Sequence, residues 1–446
     1  MPILLALGIY AAAVLAIGAV AARSASSSWG AFLLGGRGFG TAASWAALSS
    51  TTIGGSTTLV LAALVGTAGT AALWLDLAGA AGLAALGLFL ARRVRATGAA
   101  TIAEVIGGLY GGGVRKVAAL LVVLAEIVWF ALLTEATGTV VTAATDWPPR
   151  LVLVASAAVF IAYTAFGGQR AVIRTDAFQF GLMAILLIGV ALPLAVASLL
   201  KTGLPVAHLT FPFGPRLGPA DAAALFVLVG LPHAVGSDVW AKVLSARDEG
   251  VARRAVLGAA ASKLVFGLAT VTIALAGIAA GESAGVTLFP RTVLDLAGPV
   301  AAPLLFVAMI ATMQSSSDSV LLSAAAATGH DLFPGLRRPG IGRLLVVIHG
   351  ALGLGVALWM RSLLETFRLG YTIFASGLIL PILVGMSRRW RVQPVLAGAA
   401  MVLGGGTAVA CHFIPFAHSG PFDPVLIGTA VNAAILAVGL RRVRPA

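Results

Sequence analysis

Apolar runs long enough to cross a bilayer, which takes about 20 residues, recur along almost the whole chain. Thirteen can be marked out, at about 2–22, 38–66, 68–91, 117–143, 149–166, 171–199, 222–247, 252–281, 294–328, 340–360, 363–386, 389–412 and 421–440. Most polar interruptions are short basic clusters between runs. A few fall inside a run, where every backbone N–H and C=O must find a partner within the protein. The most pronounced is S-S-T-T-I-G-G-S-T-T, Ser49 to Thr58, in the second span. Adjacent glycines weaken a helix, and serine and threonine hydroxyls compete for its backbone groups, so the helix is expected to break here. Carbonyls freed beside hydroxyls are hard, uncharged oxygens that suit a small alkali cation. The same small residues equally suit a close helix crossing.

Composition agrees with the pattern. Of 446 residues 59% are hydrophobic and 10% charged, with mean hydropathy +1.03; a water-exposed surface needs far more charge. The chain reads as an all-α polytopic membrane protein embedded in a lipid bilayer. Its net charge of +13 comes from clusters between spans, which speaks for topology and against nucleic acid as a partner. With the N-terminus outside, 22 of the 29 basic residues fall in cytoplasmic segments. These include Arg23, Arg37, Lys242, Arg247, Arg253, Arg254, Arg388 and Arg444. Six fall outside: Arg150, Lys201, Arg216, Arg291, Arg361 and Arg368, and Lys263 is left within a span. That bias sets an N-out, C-in orientation in the cytoplasmic (inner) membrane. It also makes residues 1–22 a retained helix, since cleavage there would invert every later loop. The segment 92–116 is expected to carry a short amphipathic helix at the inner surface. The single cysteine, Cys411, excludes a disulfide framework, and the six histidines, His418 among them, show no paired metal-ligand spacing.

Two spans are interrupted five spans apart. The second breaks at Ser49–Thr58 and the seventh at Gly230-Leu231-Pro232-His233-Ala234-Val235-Gly236-Ser237. Paired broken helices point to an inverted-repeat transporter with a midplane site. The units are residues 38–199 and 222–386, with 1–37 as an N-terminal extra helix and 387–446 as two C-terminal ones, all in one domain (1–446). In the ninth span, A-T-M-Q-S-S-S-D-S (Ala311 to Ser319) puts Ser315, Ser316 and Ser319 on one face with Thr312, and Asp318 beside Ser315. Asp176 is expected at similar depth in the sixth span. Acids inside spans are functional candidates by default. Glu126 and Glu135 lie nine residues apart and point about 180° from each other, so at most one faces a given cavity.

Three stretches carry a resemblance to the sodium:solute symporter family, which includes sodium-coupled proline, pantothenate, sialic acid and sugar transporters. Y-T-A-F-G-G-Q-R-A-V-I-R-T-D-A-F-Q, Tyr163 to Gln179, resembles the family's Y-x-x-x-G-G-x-x-A-V-x-x-T-D-x-x-Q. The serine-rich ninth span and G-S-D-V-W-A-K-V-L-S-A-R-D-E-G-V-A-R-R-A, from Gly236, are similar to further family stretches. The resemblance implies thirteen transmembrane helices in two inverted five-helix repeats, a LeuT-type fold. It implies a principal Na⁺ site made of the Ser50, Ile53 and Thr312 carbonyls with the Ser315 and Ser316 hydroxyls. A second cation site would use Asp176, Asp318 and Ser319. Candidate solute contacts are Thr57, Asp76, Glu135, His233 and Lys263; Asp76 and Lys263 look like an acid and a lysine that contact solute in sugar-transporting members.

The expected function is symport of a small organic solute with Na⁺ by alternating access, with no organic cofactor and no enzymatic activity. The oligomeric state is open, although a monomer is expected to suffice. A proton-coupled symporter using Asp176 or Asp318 is the nearest alternative. A membrane sensor would need a signalling domain. A hydrolase would need a base for the span-nine serines, which only His330 or His233 could approach in space.

Overall fold

A computed structural model describes residues 2–25, 28–360, 362–387, 389–414 and 423–442. Arg361, Arg388, His418 and Arg444, the start of the last expected span at 421–422, and the side chain of Arg23 lie outside the described residues. The elements used below are α1 (Pro2–Ala25), α2 (Thr41–Thr52), α3 (Trp74–Ala85), α4 (Ile102–Tyr110), α5 (Gly112–Ala144), α6 (Pro149–Met183), α7 (Leu231–Val235), α8 (Ser237–Ser245), α9 (Glu249–Ala279), α10 (Leu288–Ala326), α11 (Pro339–Trp359), α12 (Leu363–Met386), α13 (Pro394–His412) and α14 (Pro424–Gly439). The only strands among the described residues are Trp390–Arg391 and Arg441–Arg442, which pair antiparallel.

Ten helical stretches among the described residues are long and apolar enough to cross a membrane. Two of them, Ser56–Ala96 and Pro149–Thr202, each contain a point where two separate spans are expected. Glycine makes both divisions. Gly69 has φ 68° and Gly168 has φ 59°, a region open to glycine without a Cβ clash. At Gly168 the chain doubles back. The Tyr163 hydroxyl donates to Thr175 Oγ1 at 2.6 Å, although twelve residues of continuous helix would separate them by roughly 18 Å. The last expected span is the 16-residue α14.

Burial sorts the helices. Every residue of α10 from Leu305 to Ala326 is buried, as suits a helix surrounded on all sides. Outward-facing apolar side chains such as Leu200 and Val300, each 84% exposed, form a surface suited to lipid. Both expected interruptions are present. Helix α2 stops at Thr52, and the chain passes through Ile53 to Gly55 before the next helical turn at Ser56. Gly236 (φ −57°, ψ 137°) separates α7 from α8.

The short helix expected within 92–116 is α4. Thr101 caps it by accepting from Glu104 N at 3.0 Å. Glu104 in turn accepts from Ala100 N at 2.6 Å, and its other neighbours are His330 Nε2 at 3.0 Å and Arg115 at 3.9 Å. The hydrogen bond from His330 is the main cause holding the Glu104 carboxyl down at about 2, with the Ala100 N–H and the nearby positive charge assisting. A carboxyl depressed in the fold contributes stability above its ordinary value of 4.5, lost as pH falls towards about 2. Thermal unfolding of the purified protein should therefore shift downward between those values. Glu104→Gln should lower the unfolding temperature at neutral pH and flatten that part of the profile; an unaltered profile would remove Glu104 as its cause.

Candidate functional site

The last four carbonyls of a helix have no partner within it. In α2 they belong to Ser49, Ser50, Thr51 and Thr52, all buried. Each is met. Ile53 N–H donates to Ser49 O at 3.1 Å. Ser315 Oγ donates to Ser50 O at 3.1 Å and Ser316 Oγ to Thr51 O at 2.9 Å. Lys263 Nζ donates to Thr52 O at 2.9 Å. Both serines also reach back to Thr312 O, at 3.1 Å and 3.4 Å. The structure thus brings Ser50, Thr312, Ser315 and Ser316 together, as expected, into a patch of uncharged oxygens between α2 and α10. Thr51 joins them, a backbone contact that its side-chain identity gave no reason to single out. Ile53 closes the helix with its N–H. Gly54 lies against this patch, where a Cβ would come within 2.7 Å of Ser316 Oγ.

The donor set fits a small alkali cation. Two hydroxyls and three carbonyls converge in a buried place, and all are oxygens without formal charge. Ser50, Ser315 and Thr312 are 0% exposed.

Asp176 and Ser319 also meet near α2, through a partner that charge counting had assigned elsewhere. Lys242 is not a cytoplasmic surface residue: it is 1% exposed. Its Nζ lies 2.8 Å from Asp176 Oδ2 and 2.5 Å from Ser319 Oγ, and it also bonds Thr51 Oγ1. Position alone misled here, because Lys242 falls at the end of an apolar run, four residues before Ala246 and the Arg247–Asp248 pair. Its place one turn beyond Asp238 in an interrupted helix was the available signal. Asp318 Oδ1 accepts from Thr164 Oγ1 at 2.9 Å, while Oδ2 has no hydrogen-bond partner.

Thr57, Asp76 and Lys263 form a second buried cluster. Lys263 Nζ lies 3.0 Å from Asp76 Oδ1 and 2.7 Å from Thr57 Oγ1, and Thr57 donates to the same carboxylate oxygen at 3.2 Å. Both charged side chains are 0% exposed. Between the two interrupted helices lies a cavity whose lining includes Thr52, Gly54, Gly55, Glu126, Trp129, His233, Asp238, Ser316, Tyr371 and Phe374. Trp129 and Tyr371 meet edge to face, 4.6 Å apart. His233 is in the lining, as expected. Glu135 is not: it accepts from Thr366 Oγ1 at 3.0 Å in the packing of α5 against α12. The carboxylate of α5 that faces the cavity is Glu126, bonded to Ser237 Oγ. Helix periodicity placed these two glutamates on opposite faces, but only the packing partners distinguish them.

Neither histidine approaches the serines as a base. His330 is held between Trp29 and Glu104, and His233 Nδ1 lies 2.8 Å from Val229 O.

Residues 32–354 match the profile of the Sodium:solute symporter family. The fold is similar to the substrate-bound, outward-open state of a Na⁺-coupled sialic acid symporter, with TM-score 0.83, 16% identity and 99% of each chain covered. It is also similar to MhsT in complex with L-phenylalanine (TM-score 0.59, 18% identity, 89% of this chain and 97% of the other). A third similar structure is a nucleobase-cation-symport-1 family transporter in a closed conformation with bromovinylhydantoin bound (TM-score 0.60, 15% identity, 91% and 92%). These likenesses show a shared LeuT-like transporter fold. No curated protein matches the chain.

The Asp76–Lys263 pair gives a direct test of the cluster. Removing one member of a buried ion pair costs roughly 3–5 kcal/mol, because the other is left charged and alone. Asp76→Asn should accordingly lower the thermal unfolding temperature in detergent, and Asp76→Asn/Lys263→Met should recover part of the loss, the Thr52 carbonyl being left without the lysine's hydrogen bond. Equal stability of Asp76→Asn and the parent would show that the pair holds nothing.

Proposed function

The chain belongs to the sodium:solute symporter family, and on that premise we propose that it couples inward Na⁺ flow to uptake of a small organic solute by alternating access. The oxygen patch between α2 and α10 carries this reading. The carbonyls of Ser50, Ile53 and Thr312 and the hydroxyls of Ser315 and Ser316 would hold the ion, with Thr51 O beside them. The ion, moving down its own gradient together with the solute, would supply the free energy for accumulation. The chain's own part is to make that patch depend on conformation: it exists only while the broken end of α2 lies against α10. A ligand shifts such an equilibrium only by binding one state better than another. Gly54 permits the close approach, and the Ser315 and Ser316 hydroxyls can turn from the carbonyls towards a cation without moving the helices.

Solute would occupy the cavity between the interrupted helices, over Glu126, Asp238 and His233. Carboxylates in a cavity also lined by Trp129, Tyr371 and Phe374 favour a solute with hydrogen-bond donors or positive charge. The wider reading is two inverted repeats, 38–199 and 222–386, in the cytoplasmic membrane, with the N-terminus outside and a monomer sufficient for transport.

Solute-dependent ²²Na⁺ uptake into proteoliposomes, screened over amino acids, amines, sugars, carboxylates and vitamins, tests the proposal. Uptake stimulated by one class is expected; no stimulation by any would overturn symport. With the active solute, Ser316→Ala should raise the Na⁺ concentration for half-maximal uptake about tenfold, for a ligand oxygen worth about 1.4 kcal/mol. Expression should persist, since alanine is a good helix former. An unchanged Na⁺ curve in well-expressed protein would take Ser316 out of the site.

Orientation is tested after Cys411→Ser. A cysteine near Arg170 should react with impermeant maleimide only from the cytoplasm, and one near Asp146 only from outside. The reverse pattern would overturn the N-out arrangement.

A further inference from the structure

Two of the three residues expected to form a second cation site, Asp176 and Ser319, already hold a cation that belongs to the chain. We infer that the Lys242 ammonium is the resident cation of that site, and that the transporter therefore binds a single Na⁺. The inference rests on the Na⁺-coupled reading above and goes beyond it by setting the number of ions.

The Lys242 ammonium donates to Ser319 Oγ at 2.5 Å and to Thr51 Oγ1, and it is ion-paired with Asp176, whose Oδ2 lies 2.8 Å from Nζ. Asp176 and Ser319 are two of the three residues a second Na⁺ would need. The third, Asp318, takes its hydrogen bond from Thr164 on α6 at 2.9 Å. A Na⁺ placed among these groups would lie beside the Lys242 ammonium, where two like charges repel in a buried place with little solvent to screen them. It would also have to take oxygens from an ammonium that is covalently attached and has no translational freedom to lose. The donor set therefore does not fit a second Na⁺ while Lys242 is present.

The placement of Lys242 adds a consequence. It lies on α8, just past the Gly236 break, and its oxygen partners lie on α2, α6 and α10. The charged groups around it are Asp176 on α6, Asp318 on α10 and Asp238 on its own helix. One side chain thus links the second interrupted helix to the broken end of the first, a linkage that a diffusible ion would make only when bound.

Equilibrium binding of ²²Na⁺ to the purified full-length protein in nanodiscs, beside the Na⁺ dependence of uptake, provides the test. The parent should bind one Na⁺ per chain, with a Hill coefficient of about 1. Lys242→Gln removes the ammonium and leaves Asp176, so a second Na⁺ should bind and the Hill coefficient should rise towards about 2. Lys242→Arg should keep one Na⁺, and so should Lys242→Gln/Asp176→Asn, which removes both members of the ion pair. Two Na⁺ bound by the parent, or one bound by folded Lys242→Gln, would overturn the inference. Should Lys242→Gln fail to fold, the parent stoichiometry still decides. A parent that binds no Na⁺ at all would instead overturn the proposed function, and this inference with it.

Discussion

Everything at the centre of this protein follows from the need to satisfy the four carbonyls at the end of α2. A helix that stops in water leaves its last carbonyls to the solvent. One that stops in a bilayer must supply partners from other helices, because each unmet group costs several kcal/mol there. Here the partners are a backbone N–H, two serines of α10 and a lysine of α9. Each is a side chain or cap that can exchange its role, unlike a helical N–H. A break that must be covered and can be uncovered is a natural place for an ion to act on conformation.

The two buried lysines extend the same logic to charge. Lys263 and Lys242 each bring an ammonium to the neighbourhood of the α2 break, and each is balanced by one carboxylate, Asp76 or Asp176. Neither pair is attached to α2 by its own charge. They reach it through Thr52 O in one case and the Thr51 hydroxyl in the other. Adjacent residues of one short segment are therefore tied to α9 and α8, the two helices that follow the second interruption. Movement of either broken helix alters the hydrogen bonding of a buried charge, which makes intermediate positions costly and favours discrete states.

The Tyr163–Gln179 motif also has a physical account. Gly168 supplies a positive φ that reverses the chain, and the Tyr163 hydroxyl fastens the two arms through Thr175. Asp176 takes the Lys242 ammonium. Gln179 donates to the Tyr10 hydroxyl at 2.7 Å, and Tyr10 donates to Gln314 at 2.6 Å, beside the serines. The motif thus clamps α6 and α1 to the stretch of α10 that carries Ser315 and Ser316. None of these residues needs to touch solute for the spacing to matter.

What the sequence alone determined is whatever depends on local order: apolar length, basic clustering, the two interruptions, and the face shared by Thr312, Ser315, Ser316 and Ser319. Those features follow from backbone chemistry and helical period, which are written in adjacent residues. Tertiary structure decided which groups meet across helices. It chose Glu126 over Glu135 for the cavity, brought the Thr51 carbonyl to Ser316, and turned Lys242 inward to Asp176 although its neighbours in the chain suggested the membrane surface. A long flexible side chain near a helix end can reach water or the interior equally well, and only the carboxylate waiting on another helix settles which.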